Sequence, residues 1–180
     1  MFFARYYKFY RYDKTITEED AKYDIPEGYS LKELDPDKDY DRFRDAWIKI
    51  YADILPEPHV KFQKSVLMKY PKTFILEDSS GNIIGFVVCY IKEDGKTGKI
   101  LRIGLLKIYR KRGLGLLLYK KACEYFLQNN IKNIYFDIYE QDETLKRLAE
   151  RAGFKQTKEF FITIENPVEN FITLETIMSL

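Results

Sequence analysis

The sequence predicts one α/β (α+β) domain built on a mixed, mostly antiparallel twisted sheet of about six or seven strands. Three observations point there. First, 180 residues with 46% hydrophobic and 32% charged side chains suit a single globular core. Second, three apolar runs at residues 72–77, 83–92 and 99–108 are separated only by Asp78-Ser79-Ser80-Gly81-Asn82 and Glu93-Asp94-Gly95-Lys96-Thr97-Gly98. Such short turn-forming clusters join antiparallel neighbours, so these runs form a meander. Third, a helix at 114–130 lies between the strand at 99–108 and a strand at 131–140. A strand–helix–strand unit of that length joins parallel neighbours by a right-handed crossover.

Residues 2–12 are dense in aromatics with Arg5, Lys8 and Arg11 between them. Aromatics favour a strand. The stretch reads as an edge strand or subunit contact, with a base-stacking, phosphate-binding arm as the less favoured alternative. Residues 1–28 are therefore expected to be an extension, closed by the polar connector that ends in Pro26-Glu27-Gly28, and residues 29–180 one domain. Residues 29–34 alternate as a strand does. Asp35-Pro36 is expected to open a helix, with Asp35 as N-cap and Pro36 at its first position. Tyr40, Phe43, Trp47, Ile50, Tyr51 and Ile54 recur at helical spacing as a core stripe. Pro56 and Pro58 break that helix, and a second runs to about Tyr70. His59, the only histidine, falls at the break and reads as a loop residue.

The 114–130 helix is apolar nearly all round, and only Lys120, Lys121, Glu124 and Gln128 form a broad polar stripe. It must pack hard against the sheet. Asp142 suits the N-cap of a short helix bearing Leu145, Leu148, Ala149 and Ala152, and Gly153 suits its C-terminal stop. Residues 154–164 read as a strand. Asn166-Pro167 then turns the chain into a last strand at 171–180.

Chemistry concentrates in the turn before the long helix, Tyr109-Arg110-Lys111-Arg112-Gly113-Leu114-Gly115. The first N–H groups of a helix lack intrahelical partners, and the helix dipole is positive there. Glycines let a ligand approach the backbone, and three cations flank the spot. A phosphate or pyrophosphate is the natural occupant. A P-loop would continue as Gly-Lys-Ser/Thr, which this turn does not. A dinucleotide fingerprint would place a third glycine where Leu118 stands, and would open a βαβ series instead of following a meander.

Arg110-Lys111-Arg112-Gly113-Leu114-Gly115 fits a third pattern, Arg-x-x-Gly-x-Gly. Here the chain resembles the GNAT superfamily of acyl-CoA-dependent N-acetyltransferases, over about residues 29–165. The strands around Gly85 and the helix ending in Gly153-Phe154 are similar to that family too. The resemblance implies a GNAT fold, with helices on both sheet faces and a splayed parallel strand pair. It implies acetyl-CoA as acyl donor, with no metal. Residues 111–116 (Lys111, Arg112, Gly113, Leu114, Gly115 and Leu116) would bind the pyrophosphate beside Arg110. Pantetheine would run along Ile103, Gly104 and Leu105, where Gly104 would allow a bulge and an N–H near Leu105 or Leu106 would polarise the thioester carbonyl.

The acceptor would be a primary amine, on a small molecule or a protein, attacking directly in a ternary complex. An amine such as lysine's, with a pKa of roughly 10.4, needs a base. Asp137 and Glu140 are the base candidates, and Tyr139 the acid for the thiolate. The asparagine and tyrosine that many members carry are here Asp142 and Ala149. These departures leave a non-catalytic acyl-CoA-binding module as the alternative.

The bulk numbers bound the rest. A net charge of +2 exerts no general pull on nucleic acid or acidic membranes. No run of 18 apolar residues suggests a membrane span, and the N-terminus lacks the apolar block of a signal peptide. Cys89 and Cys123 sit in apolar runs and read as core thiols of a reducing compartment, so the cytoplasm is expected. The aromatic N-terminus and the last strand offer surfaces for a homodimer. The acceptor and the oligomeric state stay open.

Overall fold

The fold is that of a computed structural model, which describes residues 5–52 and 72–164. The elements are β1 (Arg5–Thr15), β2 (Tyr29–Glu33), α1 (Tyr40–Tyr51), β3 (Lys72–Asp78), β4 (Ile83–Ile91) and β5 (Thr97–Leu105). There follow α2 (Leu114–Gln128), β6 (Asn133–Tyr139), α3 (Glu143–Arg151) and β7 (Lys155–Ile164). They form one seven-stranded sheet in the order β2-β3-β4-β5-β6-β1-β7. Strands β3 to β5 are the expected antiparallel meander, β2 extends it by pairing antiparallel with β3, and β5–β6 is the parallel pair.

The two faces carry different cores. On one, α1 buries Phe43, Ala46, Trp47, Ile50 and Tyr51 and exposes Asp41, Arg44, Asp45 and Lys49. Trp47 stacks on Phe86 of β4, with ring centroids 4.9 Å apart and planes 2° from parallel. Each such side chain contributes about 1.5–3 kcal/mol through burial. On the other face, α2 buries Leu114, Leu117, Leu118, Tyr119, Ala122, Cys123 and Phe126, and α3 adds Ala149. Both cysteines are buried free thiols. The polar stripe of α2 is covered by residues 16–23: Lys120 donates to the Lys22 carbonyl at 2.6 Å, and Tyr23 to Glu124 at 3.0 Å.

Three local expectations change. Residues 5–15 are an interior strand and not an edge strand: β1 pairs antiparallel with β6 on one side and β7 on the other. Its Phe9 and Tyr12 are buried, so those rings are core. Asp35 does not cap α1. Its side chain accepts the Asp37 and Lys38 N–H groups and its carbonyl the Asp39 N–H, closing a tight turn that delays the helix to Tyr40. The bulge of β5 lies opposite Val88/Cys89, not at Gly104, which pairs regularly with Phe86. A Cβ on Gly104 would come within 2.6 Å of the Ile50 Cγ2, so glycine is there to let α1 approach the sheet. The expected second helix, the loop around His59 and the strand at 171–180 lie outside the described residues.

Candidate active site

The parallel pair is short. β5 and β6 are in register only at Thr97–Asn133, Gly98–Ile134 and Lys99–Tyr135. Beyond Lys99, β5 stays with β4, whereas β6 stays with β1 as far as Tyr139–Phe9. The two strands therefore diverge, and a cleft opens between them. Ile100, Leu101, Arg102 and Ile103 line its β5 side; Phe136, Asp137 and Tyr139 line its β6 side. Tyr51 of α1 and Asp142 and Leu145 at the start of α3 close it, and β1 adds Tyr7 and Phe9. Its volume is about 50 Å³, room for a few waters at about 10–15 Å³ each.

Alternation along the strands decides what reaches the cleft. Residues 7, 9 and 11 of β1 share a face, as do 135, 137 and 139 of β6. Arg11 is thus set directly across from Asp137 in the β1–β6 register. Its guanidinium grips both carboxylate oxygens, Nε to Oδ1 at 2.7 Å and a terminal nitrogen to Oδ2 at 2.9 Å. Lys99, fully buried, approaches Oδ2 at 3.0 Å. Burial pushes the Lys99 ammonium down to about 8, with the Asp137 charge opposing the fall. Arg11 also lies 4.2 Å over the Tyr135 ring.

Asp142 combines two roles that the sequence shows only in part. Its Oδ1 caps α3 by accepting the Leu145 N–H at 2.9 Å, as the residue type predicts. Its side chain also faces the cleft, where burial raises its pKa, against the pull of Leu145, Arg110 and Arg102. Among the described residues no donor reaches Oδ2. Tyr51 lines the same space, its buried hydroxyl has no hydrogen-bond partner among the described residues, and burial raises its pKa. Among the described residues, Arg102, half-buried, donates only to the neighbouring Leu101 carbonyl at 2.9 Å. Helical spacing marked Tyr51 simply as core, and Arg102 carried no motif. An unpartnered polar atom can be recognised only in three dimensions.

Of the expected site residues, Asp137 and Tyr139 meet at the cleft. Glu140 is not part of its lining; its backbone N–H donates to the Lys8 carbonyl at the strand end. Ile103 lines the cleft, with Gly104 and Leu105 following it along β5. The Leu106 N–H is taken by the Ile84 carbonyl at 2.8 Å. Alternation turns the Leu105 N–H to the opposite, cleft-side edge. Arg110 reaches back over the end of β5, donating to the carbonyls of Leu105 at 3.0 Å and Ile50 at 3.4 Å. Lys111, Arg112 and Gly113 are exposed, and Gly113 is the N-cap of α2 at φ +79°, where a side chain would strain the backbone. Leu114, Gly115 and Leu116 begin the helix, with their N–H groups at its positive end. The cleft and the exposed basic helix start are separate features joined through the end of β5, where Gly115 lies near the side chains of Leu105 and Leu148. No group of three or more His, Cys, Asp or Glu side chains among the described residues is placed to hold a metal ion.

Comparison with known proteins agrees with this architecture. The model of a family described as the acetyltransferase (GNAT) family matches residues 29–154. Similar solved structures include a putative acetyltransferase from the GNAT family of Novosphingobium aromaticivorans, with 14% identity, a TM-score of 0.68 and coverage of 88% of this chain and 64% of that one. Another is a GCN5-related N-acetyltransferase from Sphaerobacter thermophilus, with 16% identity, a TM-score of 0.61 and coverage of 89% and 52%. A Drosophila protein matches with 14% identity, a TM-score of 0.68 and coverage of 92% and 52%. At these identities the likeness is one of fold, and the chain spans about half to two thirds of their length.

Proposed function

The chain belongs to the acetyltransferase (GNAT) family, whose members generally take their acyl group from acetyl-CoA, and we propose that it moves that group to a primary amine by direct attack in a ternary complex. The observation that carries this reading is the splay of β5 from β6 beyond Lys99, with the basic, glycine-opened start of α2 following the end of β5. Bound acetyl-CoA supplies an activated thioester carbonyl.

The N–H groups of residues 111–115 hold the pyrophosphate, the Leu116 N–H being already donated to the Gly113 carbonyl at 3.1 Å, and Lys111 and Arg112 supply exposed positive charge beside them. Ile103, Gly104 and Leu105 lie along the pantetheine arm, and the Leu105 N–H serves the carbonyl oxygen as it gains charge. Of the two cleft carboxylates, Asp142 suits the base better. Burial raises its proton affinity, and Oδ2 is free to take the amine proton. Asp137, bound by Arg11 and Lys99, serves as the anchor that holds both cations at the cleft floor. The phenol of Tyr139, kept protonated by burial and lining the cleft, is the donor that returns a proton to the leaving thiolate in this reading.

A second reading, an acyl-CoA-binding module without turnover, is favoured by one observation. Ala149 is fully buried in the core, so the helix where related enzymes carry a tyrosine has no proton donor at that point. Thiol release from acetyl-CoA across a panel of amines separates the two. Acceptor-dependent release supports the enzyme; tight coenzyme binding with no release from any amine supports the module.

A further inference from the structure

Four cations, Arg11, Lys99, Arg102 and Arg110, approach the cleft floor, and among the described residues the carboxylates that line it are Asp137 and Asp142. Asp137 is already engaged by Arg11 and Lys99, and Arg110 by two backbone carbonyls. That leaves Arg102. Among the described residues it has no ion-pair partner, and one backbone carbonyl accepts from a side chain with five N–H donors. Its guanidinium sits 6.0 Å from the ring centroid of Tyr51, a residue only 6% exposed that also lines the cleft and whose hydroxyl has no partner among the described residues. A recessed guanidinium beside an orphaned phenol is costly to maintain in an empty fold and matches the flat, two-oxygen geometry of a carboxylate.

We propose that Arg102 and Tyr51 form a carboxylate-recognition subsite at the cleft floor, so that one of the two reactants carries a carboxylate close to its reacting centre. The guanidinium takes the two oxygens side by side and the Tyr51 hydroxyl donates to one of them. The carboxylate belongs either to the acceptor, an amino acid or similar amine, or to a dicarboxylic acyl group on the donor. Pyrophosphate is a different anion at a different place, the exposed helix start around Gly113. Burial lowers the Arg102 pKa, as expected for a cation waiting for a counter-charge.

The inference rests on the acyl-CoA reading, and calorimetry on the full chain keeps the two apart. Binding of CoA itself to the wild-type chain tests the reading; no binding at millimolar CoA overturns both. With CoA bound, the acceptor arm compares 4-aminobutyrate with n-butylamine, and the donor arm compares succinyl-CoA with butyryl-CoA. In each pair a carboxylate replaces an apolar end. We expect at least a tenfold lower Kd for the carboxylate member in one arm, and the arm identifies its source. Arg102→Gln should reduce that preference to below threefold while CoA still binds, and Arg102→Lys should restore part of it. Tyr51→Phe should weaken the carboxylate member alone, by about threefold to tenfold. A preference under threefold in both arms, or one that survives Arg102→Gln, overturns the proposal and leaves the acyl-CoA reading standing.

Discussion

Replacing Lys99 by methionine tests the electrostatics of the cleft floor. The ammonium is fully buried, and Asp137, whose Oδ2 lies 3.0 Å from it, is shared with Arg11. Burial holds its pKa at about 8 against an ordinary 10.5. The unfolded chain thus keeps this proton up to about 10.5 and the folded chain only up to about 8, so folding is opposed most strongly below pH 8 and the penalty fades as pH rises. The full shift is worth about 3 kcal/mol at about 1.4 kcal/mol per pH unit, of which about 1 kcal/mol is relieved by pH 9 and between about 2 and 3 by pH 10. Methionine fills the space of the lysine stem without a charge, and Asp137 keeps its two bonds to Arg11. At pH 7 the Lys99→Met protein should be at least as stable as wild type. Urea unfolding of both proteins at pH 7 and pH 9 measures the effect. The wild type should gain about 1 kcal/mol on the variant between the two, or about 2–4 °C in melting temperature. A difference that stays flat, or that moves against the wild type, refutes a strained ammonium at position 99.

Removing the carboxylate has the opposite sign: Asp137→Ala strands Lys99 and Arg11 and should cost about 3–5 kcal/mol, read as a fall of about 6–20 °C in melting temperature. Asp142→Ala loses the α3 cap and should cost about 1 kcal/mol, whereas Asp142→Asn keeps a capping oxygen. If Asp142 is the base, Asp142→Asn lowers kcat by about 10²- to 10⁴-fold with coenzyme affinity unchanged; an unaltered kcat removes it from that role. Gly104→Val drives a side chain into Ile50 and should destabilise by about 1–3 kcal/mol in the same unfolding assay, with no loss measurable if α1 can simply withdraw.

The meander and the crossover were legible because their information is local. Alternating runs, turn residues at 78–82 and 93–98, and a helix apolar on nearly all sides each sit within a short window. The place of β1 was not. Arg11 meets Asp137 across 126 residues, and no pattern within residues 2–12 says which two strands will flank them. Asp142 was readable as a cap because capping is a rule about neighbours; its second oxygen faces a cleft that exists only because β5 and β6 part. Tyr51 obeys the core spacing and is buried, yet it lines the cleft. The basic turn was found from its residue types, and the positive φ at Gly113 gives a second reason for glycine there that residue types alone do not show. Arg110 departs from it. Its charge is turned back to brace β5 and α1.

Acetyl-CoA binding, followed by the melting temperature of the wild-type chain and of Gly115→Glu, tests the central claim most directly. Gly115 tolerates a Cβ, whose nearest neighbour would be the Leu148 side chain at 3.6 Å, so the variant should fold. Its carboxylate would then stand in the first turn of α2, where the anion is expected. Ligand at about 100 times Kd should stabilise the wild type by about 2.7 kcal/mol, a rise of about 5–11 °C, and leave Gly115→Glu unmoved. No rise in the wild type at millimolar acetyl-CoA, or an equal rise in both proteins, would contradict the account.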